Sequence, residues 1–167
     1  MKEFYLKQKV FSLRSRYRVL DENEEQLYHC VGKIFSLSRE LNFYNTKNEK
    51  HLYQMNRKIF AIMPTYFLYN AQGEQVAKAR RKFSIGKKLV SIESDHGDFE
   101  IEGNFWAHDF RILKDGERVA TIQKKYISFG DSYQIQIEDE SNTEFFLAML
   151  VMIDAKFHSR RKSSRNR

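Results

Sequence analysis

Apolar and polar residues alternate along most of the first 140 residues. Tyr133, Ile135 and Ile137, for example, alternate with glutamines. A period of two is typical of a strand with one buried and one solvated face. Polar turn clusters separate about twelve such segments, and the short connections favour antiparallel neighbours. The segments lie near residues 4–10, 15–20, 26–32, 39–44, 50–57, 65–69, 75–82, 87–92, 98–102, 109–113, 118–125 and 132–138.

A short phrase that begins with lysine recurs along the chain. Its copies start at Lys9, Lys33, Lys58, Lys82 and Lys125, with steps of 24, 25, 24 and 43 residues. A polar turn cluster lies about midway between copies, so each repeat unit contains two strands. With only 7 Gly and 1 Pro in the chain, we expect Asn and Asp to form several of the turns.

The alternation stops near residue 141. Ser141 and Glu144 have the spacing of a capping box, and 145–153 are nine consecutive apolar residues. A helix that is apolar on every side has to be buried in protein or in lipid. Nine residues rise only about 14 Å, whereas the bilayer core is about 30 Å thick. Burial in protein is therefore favoured, in a helix over about 143–158.

The predicted strands provide a place for this helix. Twelve strands about 4.8 Å apart form a ring about 58 Å around, with a radius of about 12 Å after tilt. A helix of about 10–12 Å diameter fills the hole that inward side chains leave. We predict a mainly β chain, a closed antiparallel barrel of about twelve strands around one central hydrophobic C-terminal helix. The barrel domain covers 1–158, and 159–167 form a basic, disordered tail.

Composition narrows the chemistry. Cys30 is the only cysteine, so an intramolecular disulfide and a cysteine-based zinc site are excluded. The five histidines stand apart without metal-ligand spacing, and no nucleotide-binding or nucleophile motif is present. We predict no catalytic residue, no metal and no cofactor. His108-Asp109 and Asp131 suit turns or strand ends better than catalysis.

Two positions near the predicted lumen have other interpretations. Asp154 follows the apolar run, so it needs either an ionic partner or access to water at the barrel mouth. Gly103, close to Trp106, suggests a ligand cavity of the lipocalin type. That interpretation fails if the helix occupies the lumen.

Most of the net charge of +7 belongs to the tail, since the chain before it has 24 basic and 22 acidic residues. Two basic clusters are candidates for binding. The first belongs to one predicted hairpin and comprises Lys78, Arg80, Arg81, Lys82, Lys87 and Lys88. The second belongs to the tail and includes Arg160, Arg161 and Lys162. Such clusters attract phosphate groups and anionic membranes, while a solvated strand face is the plainer explanation. Lys124-Lys125 is a smaller cluster.

Several motifs extend over residues 5–154. They are Tyr5-Leu6-x-Gln8-Lys9-x-Phe11-Ser12, Pro64-Thr65-Tyr66, Phe99 to Trp106, Asp115-Gly116-x-x-Val119-Ala120, Ser128-Phe129-x-Asp131-Ser132-Tyr133 and the Leu147 to Asp154 helix. With them the chain resembles the LURP-one-related family, which has the fold of the Tubby C-terminal domain. The resemblance implies a twelve-stranded barrel around an apolar helix. Tubby proteins bind membrane phosphoinositides and the similar phospholipid scramblases act at membranes, but the resemblance assigns no residue to such a role.

We therefore expect a non-enzymatic binding protein that associates with anionic phospholipid or a membrane-proximal partner through basic surface. The start of the chain has no apolar stretch typical of a secretory signal, so we expect a cytoplasmic, membrane-peripheral location. Two alternatives are a small-molecule enzyme with its site at the barrel mouth and nucleic-acid binding through the tail. A pocket with convergent titratable groups would favour the enzyme.

Overall fold

The architecture is given by a computed structural model, which describes the backbone of residues 1–11, 14–33, 40–57, 65–81, 88–104, 109–127, 130–138 and 140–163. Side chains are described for these residues except 8–11, 14–16, 33, 57, 81, 88–89, 104, 125–127, 130–131 and 155–163. Twelve strands occupy most of this chain. They are β1 (Lys2–Phe11), β2 (Arg14–Leu20), β3 (Gln26–Lys33), β4 (Leu41–Asn45), β5 (His51–Arg57), β6 (Thr65–Asn70), β7 (Gln75–Arg81), β8 (Lys88–Ser94), β9 (Phe99–Asn104), β10 (Asp109–Lys114), β11 (Glu117–Ile127) and β12 (Gly130–Ile137).

The twelve strands form one closed antiparallel barrel. Each strand pairs with its neighbours along the chain, and β1 also pairs with β12. The closing register runs from Lys2 opposite Ile137 to Leu6 opposite Tyr133. Closure leaves no strand edge unpaired. The barrel predicted from the period-two alternation is confirmed.

Alternation along the strands separates core from surface. In β10, Phe110 and Ile112 are buried while Asp109 and Arg111 are exposed. The described inward positions of the other strands likewise hold apolar residues, so the barrel interior is mainly apolar. Its wall includes Phe4, Leu6, Tyr17, Val19, Cys30, Leu41, Phe43, Met55, Leu68, Ala77, Ala79, Val90, Ile92, Phe99, Ile101, Ala120, Ile122, Ile135 and Ile137.

The one α-helix of the described residues, α1 (Thr143–Ser163), fills the lumen. Every residue of Phe145–Ile153 is at most 3% exposed, and together they form one core with the inward strand residues. The Phe99 ring lies 6.0 Å from the ring of Phe145 and 5.4 Å, edge to face, from that of Phe146. The predicted C-terminal helix inside the barrel is confirmed.

The helix continues farther than the sequence predicted. It ends at Ser163 rather than near residue 158, so 159–163, assigned above to the tail, are helical. Arg160, Arg161 and Lys162 are good helix formers, and cations near a helix C-terminus interact favourably with its dipole. Residues 164–167 lie outside the described residues.

The start of the helix differs in detail from the predicted capping box. A turn of 3-10 helix, Glu140–Asn142, follows β12, and α1 begins at Thr143, whose hydroxyl donates to the Glu140 carbonyl at 2.9 Å. Glu144 Oε1 accepts a hydrogen bond from the Tyr28 hydroxyl of β3 at 3.3 Å. The first turn of α1 is therefore tied to the barrel wall.

This contact predicts a pH dependence of stability at high pH. Burial, then the charge of Glu144 and its hydrogen bond, raises the pKa of Tyr28 to about 12, whereas an unfolded tyrosine titrates near pH 10. The stabilising contribution is complete below about pH 10, and it is lost as the pH rises towards 12 because only the unfolded state releases the proton readily.

Ultraviolet titration of the folded protein can test this assignment. Subtracting the Tyr28→Phe curve from the wild-type curve should leave one phenol that titrates near pH 12. The same difference measured in a Glu144→Gln background should shift to lower pH, since the negative charge is removed and the neutral amide oxygen that remains is a weaker acceptor. An unchanged midpoint would show that Glu144 does not act on Tyr28.

Asp and Asn side chains shape the turns, as the low glycine content predicts. Asp21 Oδ1 accepts hydrogen bonds from the backbone amides two and four residues later, at 2.9 and 2.8 Å, and Asn70 repeats the arrangement. Within the part of the chain that the structure describes, the non-glycine residues with positive φ are Glu24, Glu49 and Asp115. The side-chain acceptors of Asp and Asn, rather than left-handed asparagines, therefore organise these turns.

Candidate functional site

The helix crosses the barrel from one end to the other. The Phe145 ring lies 4.5 Å from the ring of His96, in the turn between β8 and β9. Nine residues later, Asp154 lines a cavity with Phe110 and Tyr133, near the beginnings of β10 and β12. We call the end where even-numbered strands finish the helix-start end, and the end where odd-numbered strands finish the helix-exit end.

The first basic cluster belongs largely to the helix-exit end. Arg80 and Arg81 finish β7, and Lys88 begins β8, its antiparallel partner. Lys78 precedes them in β7 and lies farther from this end, whereas Lys82 and Lys87 are outside the described residues.

The charge of Lys78 is partly neutralised. Its Nζ lies 3.2 Å from Oε2 of Glu93, the residue directly opposite on β8. The Lys78 side chain is 23% exposed and that of Glu93 58%. An ion pair this exposed adds little stability, but it holds a carboxylate against the ammonium group. Lys78 is therefore a weaker candidate than its neighbours for an anionic partner.

Arg80 is the clearest outward cation of the hairpin. It is exposed, and its neighbours in the register are Thr65 on β6 and Ser91 on β8. Position 81 pairs with the buried Val90. Consecutive strand positions belong to opposite faces of a sheet, so positions 80 and 81 do not belong to one continuous outer patch.

The second basic cluster is at the same end as the first. Arg160, Arg161 and Lys162 belong to the final turns of α1, beyond Asp154 and towards the helix-exit end. Two clusters that are about eighty residues apart in sequence thus share one end of the barrel. Their common location follows from the up-and-down strand order and from the helix running inside it.

Other strands of the helix-exit end also contain basic residues, which belong to neither cluster identified in the sequence. Arg14 begins β2 and Arg57 finishes β5. The signal that could have found them is the order of the turns: in an up-and-down barrel every second turn lies at the same end.

The lumen leaves little room for a ligand. In the described part of the chain, a cavity of about 10 Å³, lined by Leu6, Ile122 and Leu150 among others, lies beside Asp154. Such a space accommodates about one water molecule. The lipocalin-type cavity suggested by Gly103 is therefore not formed there. Asp154 itself is 7% exposed, so it does not open to solvent at the barrel mouth.

The described residues form no catalytic or metal-binding group of side chains. Cys30 is buried, and burial raises the pKa of its thiol well above the usual range, which suppresses the reactive thiolate. Within those residues no three His, Cys, Asp or Glu side chains come together as a group that could bind a metal ion. His108 lies outside them, and Asp109 begins β10. No helix of the described chain is long and apolar enough to cross a membrane.

Comparisons with known proteins agree with this architecture. An uncharacterized protein of Bacillus subtilis (strain 168), YxjI, is 28% identical over 155 residues, covering 92% of this chain and 93% of the relative. An X-ray structure of an Arabidopsis thaliana protein superposes with a TM-score of 0.64 at 11% identity, covering 94% of this chain and 92% of that one, and supports the fold alone. The LURP-one-related family model matches residues 2–154. The chain belongs to the LURP-one-related family.

Proposed function

We propose that this protein is a non-enzymatic binding protein that associates peripherally with anionic phospholipid surfaces. The observation that carries the proposal is the convergence of the β7–β8 hairpin and the end of α1 at the helix-exit end. Each lysine or arginine near an anionic membrane contributes about 1 kcal/mol of attraction. Several cations at one end therefore provide useful affinity without any pocket.

The packed lumen supports binding by an outer surface. The core of α1 and the wall of the barrel are in contact throughout Phe145–Ile153. A partner that enters the barrel would have to displace large apolar side chains, whereas a charged surface engages without rearrangement. Anionic lipid headgroups are opposite in sign to these basic residues and need no shaped cavity.

Vesicle flotation tests the proposal. We expect the protein to float with phosphatidylserine-rich vesicles at low salt, to be released as salt screens the attraction, and to remain unbound with phosphatidylcholine. Arg80→Gln combined with Lys88→Gln should weaken binding on the order of ten-fold. The matched control is Lys47→Gln with Lys50→Gln, the same charge change at the helix-start end. Equal recovery of wild type with both vesicles would contradict the proposal.

A further inference from the structure

The strand order places three of the recurring lysines at one end of the barrel. Lys9, Lys33 and Lys125 belong to the last three residues of β1, β3 and β11. The copies at Lys58 and Lys82 directly follow β5 and β7 in sequence and lie outside the described residues. Because one repeat unit is one hairpin, the three described copies return to the same end of the barrel. The repeat distributes lysines around the helix-exit end.

This end is basic well beyond the repeat. We define the helix-exit rim as the last three residues of each odd-numbered strand and the first three of each even-numbered strand. Its basic residues are Lys9, Arg14, Arg16, Lys33, Arg57, Arg80, Arg81, Lys88, Arg111 and Lys125. Its acidic residues are Glu102, Asp109 and Asp131, and Glu40 directly precedes β4. Glu102 partly neutralises Arg111, whose Nη2 lies 3.3 Å from Glu102 Oε2.

The opposite end has the opposite sign. We define the helix-start rim as the described turns 21–25, 46–50, 71–74, 95–98 and 115–116 with the segment 138–144. Its acidic residues are Asp21, Glu22, Glu24, Glu25, Glu49, Glu74, Asp95, Asp98, Asp115, Glu138, Glu140 and Glu144. Its basic residues are Lys47 and Lys50. The strand ends beside these turns are balanced in charge, with Lys2, Arg18, Lys114 and Arg118 against Glu3, Glu93, Glu100 and Glu117. The barrel is therefore polarised along its axis.

The end of the helix reaches the level of the helix-exit rim. From Asp154, α1 continues nine residues to Ser163, a rise of about 13 Å. Leu6, which lines the same cavity as Asp154, is followed by five more residues of β1. These five residues span about 13 Å along the barrel axis if the strands tilt by about 40° to it. The basic end of α1 and the ring of strand ends thus lie at a similar height.

We infer that the complete helix-exit rim, with the end of α1 at its centre, is the docking face, and that the barrel stands end-on upon an anionic phospholipid bilayer. This inference rests on the proposed function and adds the surface and the orientation. A seven-residue strand, the length of β2, β5, β7 and β8, spans about 18 Å along the axis.

Screening explains why this orientation is favoured. The Debye length at physiological salt is about 8 Å. End-on docking keeps the basic rim within that distance and the acidic rim about two such lengths away. A barrel lying on its side would bring both signs to the bilayer and lose half of the ring.

The test uses lysines that are remote from the β7–β8 hairpin. The rim variant is Lys9→Gln, Lys33→Gln and Lys125→Gln, and the matched control is Lys2→Gln, Lys47→Gln and Lys50→Gln. Both lose three positive charges, and thermal unfolding confirms that each is folded. On phosphatidylserine vesicles we expect the rim variant to bind at least roughly ten-fold more weakly, with the control within about two-fold of wild type.

The outcomes separate this inference from the proposed function. If wild type binds and the rim variant matches it while Arg80→Gln with Lys88→Gln binds weakly, the hairpin alone is the site and the end-on inference falls. If rim and control variants weaken equally, net charge alone acts and the inference falls as well. If wild type does not prefer anionic vesicles, both fail.

Site-specific fluorescence reports the orientation directly. Cys30 is buried, so an environment-sensitive fluorophore can be attached at Asn42→Cys on the helix-exit rim or at Gln72→Cys on the helix-start rim. Position 42 lies between the buried Leu41 and Phe43, so it belongs to the outer face of β4. We expect a blue shift and quenching by nitroxide-labelled lipid only at position 42. Equal responses at positions 42 and 72, or a response confined to 72, would overturn end-on docking.

Discussion

Truncating Phe146 to alanine should lower the free energy of unfolding by about 3–5 kcal/mol, the range for large-to-small changes of buried aromatics. Phe146 has 0% exposure and lies inside the barrel, where its ring meets Phe99 and Phe145. The closed wall cannot collapse around the lost volume, so the upper half of the range is expected. Urea denaturation of wild type and Phe146→Ala measures the difference.

The matched control is Phe67→Ala. Phe67 is half-buried on β6, between Asn56 and Lys78 in the register, and the same side chain is removed. Solvent can occupy the space that it leaves, so the loss should be less than half that of Phe146→Ala. Equal losses would contradict the placement of Phe146 in an enclosed lumen.

Gly103→Ala should be the second most damaging change, costing about 3 kcal/mol through clash and strain combined. Gly103 has φ +129, and a Cβ there would overlap the Asp109 carbonyl oxygen and lie 2.6 Å from Phe110 Cα. Both are backbone atoms of the paired strand β10, so no side-chain rotation can relieve the overlap. Chemical denaturation again provides the measurement.

Gly116→Ala is the control for Gly103→Ala. Gly116 also has positive φ, +85, but its Cβ would have no neighbour within 4 Å. Only the conformational term then applies, about 1 kcal/mol. A Gly103→Ala protein as stable as Gly116→Ala would show that β9 and β10 do not approach each other as closely as described.

The sequence predicted the architecture because two simple patterns dominate it. Ile135 and Ile137 alternate with glutamines, and that alternation is enough to give a strand an inner and an outer face. Residues 145–153 are apolar all round and too few to cross a bilayer, so only an enclosed position suits them. A closed barrel is then expected, because the space inside a ring of twelve strands has about the diameter of a helix.

Register and pairwise contacts escaped sequence reasoning. Gly103 suggested a ligand cavity, but its role is to let β9 approach β10, which depends on a pairing that the sequence does not state. Glu144 suggested a capping box, yet it accepts a hydrogen bond from Tyr28, a residue 116 positions earlier. The Lys78–Glu93 pair likewise required the β7–β8 register.

The basic surface was recognised only in part. Each of the two basic clusters, one around Arg80 and Lys88 and one at the end of α1, consists of residues that are close to one another in sequence, so the sequence alone revealed them. Lys9 and Lys33 are isolated along the chain and join that surface only through the strand order. A periodic motif in an up-and-down barrel is therefore better interpreted by the end to which it returns than by its immediate neighbours.

Native-state hydrogen exchange of the Phe145–Ile153 amides tests the enclosed helix most directly. A helix packed within a closed ring of strands cannot leave without exposing its whole apolar surface, so it has no low-energy opening of its own. Its amides should exchange with the free energy of global unfolding and with the same urea dependence as Ile112 and Ile135 in the wall. Faster exchange of the helix, at urea concentrations where these strand amides remain protected, would contradict the account.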